Sequence, residues 1–158
     1  RAMDRHIDLG YEGATPETPG VTLAGNRTLL KEAISNLVDN ALNYTPSSPE
    51  QPGVITARVI ADPFGQVLVL QVEDTGPGIP EAERELVFQP FYRALGTNVD
   101  GSGLGLSIVR EIARQHHAQV QVEAVNPGAA LPGTRISLRF QLKDRQSVAA
   151  GDFVDSQA

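Results

Sequence analysis

Between about residues 27 and 44, apolar side chains recur at Leu29, Leu30, Ala33, Ile34, Leu37, Val38, Ala41 and Leu42. That is a 3.6-residue period, which predicts an amphipathic helix with one buried face. Asn26 stands where an N-cap belongs, and Pro46 with the Ser/Pro/Gly run to Gly53 closes the segment. Two β-like runs follow, 54–61 and 67–73, joined by a turn at Asp62-Pro63-Phe64-Gly65. A second amphipathic helix is predicted over about 104–117, with Leu106, Val109, Ile112 and Ala113 on one side. At the end of the chain the period changes to two. Val120, Val122 and Ala124 alternate with Gln119, Gln121 and Glu123; Ile136, Leu138, Phe140 and Leu142 alternate with Arg135, Ser137, Arg139 and Gln141. Such alternation predicts antiparallel strands buried on one face only. Residues 6–12 suit a first strand, and 81–88, after Pro80 and with acids in its first turn, a short helix. Residues 13–20, 74–80 and 93–103 read as loops. The elements together predict an α/β (α+β) two-layer sandwich, with helices on one face of a mixed, largely antiparallel sheet.

Length and composition narrow this further. The chain has 158 residues, no Cys, and 13 basic against 19 acidic side chains, a net charge of −6. One domain is expected over 1–143, followed by a small, polar and disordered tail over 144–158. The acidic balance argues against a nucleic-acid partner, whose phosphates require a Lys/Arg surplus. Absence of Cys excludes disulfide frameworks, thiolate metal sites and thiol nucleophiles. The longest apolar run, Val67 to Leu70, is far below the ~18 residues of a membrane span.

Three features carry candidate chemistry. With Asn36 set at 0° on a helical wheel, Asn40 falls at about 40° and Asn43 at about −20°. Asn is a poor helix former, so three on one strip are either a solvated face or a set of hard-oxygen donors suited to Mg²⁺. Six of the fifteen glycines fall between 76 and 105: Gly76, Gly78, Gly96, Gly101, Gly103 and Gly105. The last three directly precede the second helix, an arrangement of either a flexible loop or a phosphate site of backbone N–H groups. No Lys lies there, which excludes a Walker A loop, and no strand precedes Gly101, which excludes the dinucleotide fingerprint. Asp74 ends an apolar strand and enters a Gly-Pro-Gly turn, as a turn residue or as an acceptor for an exocyclic amine.

Taken in order, these pieces resemble the ATP-binding catalytic domain of bacterial two-component sensor histidine kinases. That domain has the Bergerat-type fold shared with type II topoisomerases, Hsp90 chaperones and mismatch-repair ATPases. Residues 36–41 (NLVDNA) resemble the family's N box, 74–79 (DTGPGI) its first glycine box, and 88–93 (FQPFYR) its F box. Residues 101–106 (GSGLGL) resemble the second glycine box, and Gly133-Thr134 the final motif. Five boxes in order within 21–142 form a specific signature.

The resemblance implies Mg²⁺ on Asn40 with Asn36 alongside, Asn43 nearby, and an adenine amino group on Asp74 assisted by Thr134. It implies Tyr44 packing on the base, and Gly76, Gly78 and Ile79 shaping the turn beside it. Gly101, Ser102, Gly103, Leu104, Gly105 and Leu106 would face the phosphates, with Phe88 and Phe91 flanking a lid over about 93–103 and Arg93 reaching toward the phosphates. Asn43 departs from the family, which often has a basic residue at that position. Relatives that hydrolyse ATP carry a Glu where this chain has Asn36, and Asn takes no proton at neutral pH. The implied activity is therefore γ-phosphoryl transfer to a His on a separate dimerisation hairpin, and onward to a response regulator. Glu32, one turn before Asn36, is the rival base for an ATP-hydrolysing reading; a non-catalytic nucleotide-binding module is the other alternative. His6, His116 and His117 match no phosphoacceptor box, and the last two suit a helix C-terminal dipole. The resemblance further implies a monomeric cytoplasmic fragment of a homodimeric inner-membrane sensor. The wording of 91–99 (FYRALGTNV) is similar to that of tricarboxylate-transport sensor kinases.

Overall fold

The computed structural model describes residues 8–13, 27–62, 64, 66–92 and 105–141. The elements run β1 (Asp8–Gly13), α1 (Arg27–Tyr44), β2 (Val54–Ala61), β3 (Val67–Asp74), two 3₁₀ turns (Glu81–Glu83 and Leu86–Phe88), α2 (Gly105–Gln115), β4 (Gln119–Glu123) and β5 (Thr134–Gln141). Asn26, the expected N-cap, and the expected tail over 144–158 lie outside the described residues.

The strands form one sheet in the order β1-β2-β3-β5-β4. β1 runs parallel to β2, and the remaining pairings are antiparallel. The register aligns Ile55 with Asp74, Asp74 with Thr134, and Val72 with Ile136. Alternation then carries Ile55, Leu68, Val72, Ile136, Leu138 and Phe140 to the face that the helices cover. The helices add Ala33, Leu37, Ala41 and Leu42 from α1, and Leu106, Val109, Ile112 and Ala113 from α2. Fully burying a Leu or Ile side chain is worth roughly 1.5–3 kcal/mol, so this layer holds the two helices over the sheet. Ile34 does not join it: although on the predicted stripe, it stays 39% exposed.

Two expectations need correction. Residues 81–88 do not form one short helix. Their amides bond three residues back, Glu83 to Pro80, Arg84 to Glu81, Phe88 to Glu85 and Gln89 to Leu86, the tighter 3₁₀ pattern used in short pieces. α2 stops at Gln115, before the expected His117. His117 takes φ 55°, and the Ala118 N–H reaches the Ala113 carbonyl at 2.8 Å while the His117 N–H reaches that of Arg114 at 3.1 Å. That is a Schellman closure with His in the place usually given to Gly. His116 sets Nδ1 2.8 Å from the Ile112 carbonyl, in keeping with a role at the helix C-terminus.

The second face of the sheet is also less open than alternation implies. Ser137, on that face, is only 4% exposed. It is a small residue in register between the longer Gln71 and Gln121. Beside it, Glu73 accepts from both Arg58 and Arg135, and Arg135 also pairs with Glu123, a ladder of charges across four strands.

Candidate functional site

The strip of Asn36, Asn40 and Asn43 lies on α1, and all three side chains are half-buried, not fully solvated. Asn36 donates from Nδ2 to the Glu32 carbonyl at 3.0 Å. This fixes the amide's orientation and leaves Oδ1 toward the start of α2. A Cβ placed on Gly105 would stand 3.4 Å from that oxygen. The helix that begins at Gly105 offers N–H groups without intrahelical partners. The Asn36 amide oxygen on one helix and the positive end of another thus share one location.

The second half of the site is built at the sheet end. Asp74 closes β3, faces the helix layer and is 7% exposed. Its Oδ1 accepts the Gly76 N–H at 2.8 Å. Burial raises its pKa from 3.8 to about 6, against the opposing effect of backbone N–H donors from Gly76 and Thr134. Gly76 has no room for a side chain: a Cβ would lie 2.9 Å from the Tyr44 carbonyl and 3.0 Å from Asp74 Oδ1. Gly78 adopts φ 80° against Pro132. Tyr44, Gly76, Gly78, Asp74 and Thr134 are therefore brought together, with Thr134 buried. Ile79 is half-buried, and its carbonyl accepts from Arg84 Nε at 3.1 Å, which ties the end of the turn to the next segment.

Other expected site residues separate. Leu106 is buried in the core, so only its N–H remains for a ligand. Phe88 is buried, whereas Phe91 is 70% exposed with φ 65°, so the two aromatics do not act alike. Arg93, Gly101, Ser102, Gly103 and Leu104 lie outside the described residues.

Gly133 belongs to the expected final motif, but its partners, and the other supports below, escaped sequence reasoning. Gly133 (φ 75°) donates its N–H to the Gly76 carbonyl at 2.9 Å, and a Cβ on it would meet the Asp74 carbonyl at 2.5 Å. Its Pro-Gly context marks a turn, but nothing local marks its partner. Arg110 sits 4.7 Å over the Phe88 ring and pairs with Glu85, joining α2 to the 3₁₀ turns. Tyr92 donates to Glu83 at 2.7 Å. These contacts cross between segments and leave no periodic trace in the chain.

Among the described residues, no group of three or more His, Cys, Asp or Glu side chains could hold a metal. A divalent cation here would depend on amide oxygens and on the oxygens of its ligand, a donor set that suits Mg²⁺. Glycines crowded against Asp74 and Asn36, a buried carboxylate and a helix N-terminus fit a nucleotide with its metal.

Comparison with known proteins supports the nucleotide. The family model "Histidine kinase-, DNA gyrase B-, and HSP90-like ATPase" matches residues 25–144. The signal transduction histidine-protein kinase/phosphatase MprB of Mycobacterium leprae (strain TN) is 39% identical over 137 residues, 86% of this chain and 24% of that protein. Its counterpart in Mycobacterium sp. (strain KMS) is 42% identical over 136 residues, 85% of this chain and 25% of the relative. The chain thus spans about a quarter of the length of these relatives. Among solved structures, a mycobacterial sensor histidine kinase MprB superposes with a TM-score of 0.71 at 30% identity, covering 89% of each chain. The nucleotide-free catalytic domain of histidine kinase ThkA gives 0.69 at 26% identity, covering 89% of this chain and 83% of that one. These relatives carry the MprB name, and most of the stretch that is similar to tricarboxylate-transport sensors, residues 93–99, lies outside the described residues. The chain belongs to the histidine kinase-, DNA gyrase B- and HSP90-like ATPase family, as an ATP-binding catalytic domain of the sensor histidine kinase type.

Proposed function

We propose that this chain binds Mg·ATP between α1, the Asp74 turn and the start of α2, and delivers the γ-phosphoryl to a histidine. That histidine belongs to a dimerisation hairpin elsewhere in the parent protein, which passes the phosphoryl to an Asp of a response regulator. In this reading Asp74 accepts the adenine amino hydrogen through Oδ2, because Oδ1 already accepts from Gly76. Tyr44 packs on the base, and Thr134 supports Asp74 from β5. Asn40 is the metal ligand, with Asn36 and Asn43 beside it, and the N–H groups at the start of α2 take phosphate oxygens. Bound Mg²⁺ would neutralise phosphate charge and fix the geometry of transfer.

The observation that carries the proposal is Asn36 itself. Its amide is locked by the Glu32 carbonyl and directed at the α2 N-terminus. An amide there positions but abstracts no proton from water, so the site holds ATP without hydrolysing it. Glu32, the alternative base, is exposed on the helix surface.

Titration calorimetry with ATP, with and without Mg²⁺, tests the site. Binding should depend on Mg²⁺ and be lost in Asn40→Ala, while phosphate release by the chain alone stays at background. Rapid phosphate release abolished by the same substitution would instead make the chain an ATP-hydrolysing relative. The parent, in this reading, is a homodimeric inner-membrane sensor with this domain on the cytoplasmic side and monomeric when isolated. Among the described residues no helix is long and apolar enough to cross a membrane.

A further inference from the structure

Asp74 has two unequal oxygens. Oδ1 accepts the Gly76 N–H at 2.8 Å, and the Thr134 N–H also donates to the carboxylate. The elements packed round it present neutral groups: Ile55 on β2 and Thr134 on β5 by register, and Tyr44 and Thr45 at the end of α1 against Gly76. The titratable neighbours are Tyr44 on α1, Glu73 on β3, Arg58 on β2 and Arg135 on β5. The last three lie on the opposite face of the sheet, where the two arginines neutralise Glu73. No charged side chain contributes to the shift of Asp74; burial dominates, and its carboxyl titrates at about 6.

We infer that the protonation state of Asp74 selects the purine edge: ionised, it takes an exocyclic amine, and neutral, it donates to a 6-oxo group. This rests on the reading of Asp74 as the base-recognising residue and extends it to a second class of nucleotide. Adenine presents an N6 donor, whereas hypoxanthine and guanine present an O6 acceptor at the same edge. A carboxylate can only accept; a carboxylic acid adds one O–H donor. The Gly76 N–H donates to Oδ1 and so disfavours a proton there, which puts the proton taken from solvent on Oδ2. The charged form is repelled by O6, and the neutral form bonds it.

With titration at about 6, the ionised fraction falls about tenfold between pH 7 and pH 5 and the neutral fraction rises about tenfold. The ratio of ATP to inosine triphosphate affinity should fall about 100-fold over that interval. Calorimetric titration of the chain with Mg·ATP and with Mg·inosine triphosphate measures this ratio, in which titration of the shared triphosphate cancels. Asp74→Asn, whose amide donates and accepts at every pH, should hold the ratio constant. The wild-type ratio decides by itself if that variant does not fold. A ratio that stays flat while ATP still binds would overturn the inference and leave the proposed function standing. Binding of neither nucleotide at any pH would overturn both.

Discussion

Gly133 and Gly128 form a matched pair for testing how the sheet end is braced. Both adopt positive φ, 75° and 88°. A Cβ on Gly128 would meet nothing within 4 Å, whereas one on Gly133 would lie 2.5 Å from the Asp74 carbonyl oxygen and 3.3 Å from Val125 Cγ2. Gly128→Ala therefore suffers only the left-handed backbone, about 1 kcal/mol. Gly133→Ala suffers the same term and a steric one. The oxygen it strikes is main chain, in a strand paired on both sides, so relief requires displacing β3 or breaking the Gly133–Gly76 hydrogen bond. Overpacking of that kind costs about 1–3 kcal/mol, for a total of about 2–4. In a domain of this size, each kcal/mol lowers Tm by about 3 °C. Urea unfolding at matched slope should thus place Gly133→Ala well below Gly128→Ala, with ATP affinity reduced only in the former. Equal losses in the two variants would refute the brace.

Three further outcomes follow from the same geometry. The raised pKa of Asp74 means that the folded state binds a proton more tightly than the unfolded chain. Its burial cost is absent below 3.8 and complete above about 6, so Asp74→Asn should gain up to about 3 kcal/mol over wild type at pH 8 and almost nothing at pH 4. Denaturant curves at both pH values would show a constant difference if that is wrong. His117→Gly should stabilise by about 0.5–1 kcal/mol by relieving φ 55° in the α2 closure; an unchanged or lowered Tm would contradict it. Burial pushes the Glu73 carboxyl up, but hydrogen bonds from Arg135 and Arg58 more than reverse this, so it titrates below the ordinary carboxylate range. Its stabilisation is present at neutral pH and is lost as pH falls through that lowered value. Glu73→Gln, which leaves two arginines facing each other, should cost about 1–2 kcal/mol at pH 7, and a neutral result would show the ladder to be ornamental.

The fold was legible wherever one residue's position decided its environment. The stripes of α1 and α2 and the alternation of β4 and β5 gave those elements within a few residues. Periodicity could not show which neighbours would share the load. Ile34 fits the stripe but lies toward its edge and stays exposed; Ser137 sits on the polar face but is covered by longer neighbours. Residues 81–88 have helix-compatible composition, yet fold as two 3₁₀ turns. Asp74, Gly76 and the Asn strip stood out because their residue types are costly without a reason. Arg110, Arg84 and the pairing of Gly133 with Gly76 did not: each depends on a partner from another segment, and only the folded chain sets them side by side.

The central claim is that the site holds ATP for transfer. Incubating the chain with γ-labelled ATP, Mg²⁺ and the parent's dimerisation hairpin tests it most directly. The account predicts label on a histidine of the hairpin, stable to alkali and labile to acid, and none when Asn40 is replaced by Ala. An unlabelled hairpin in the presence of bound ATP would contradict it.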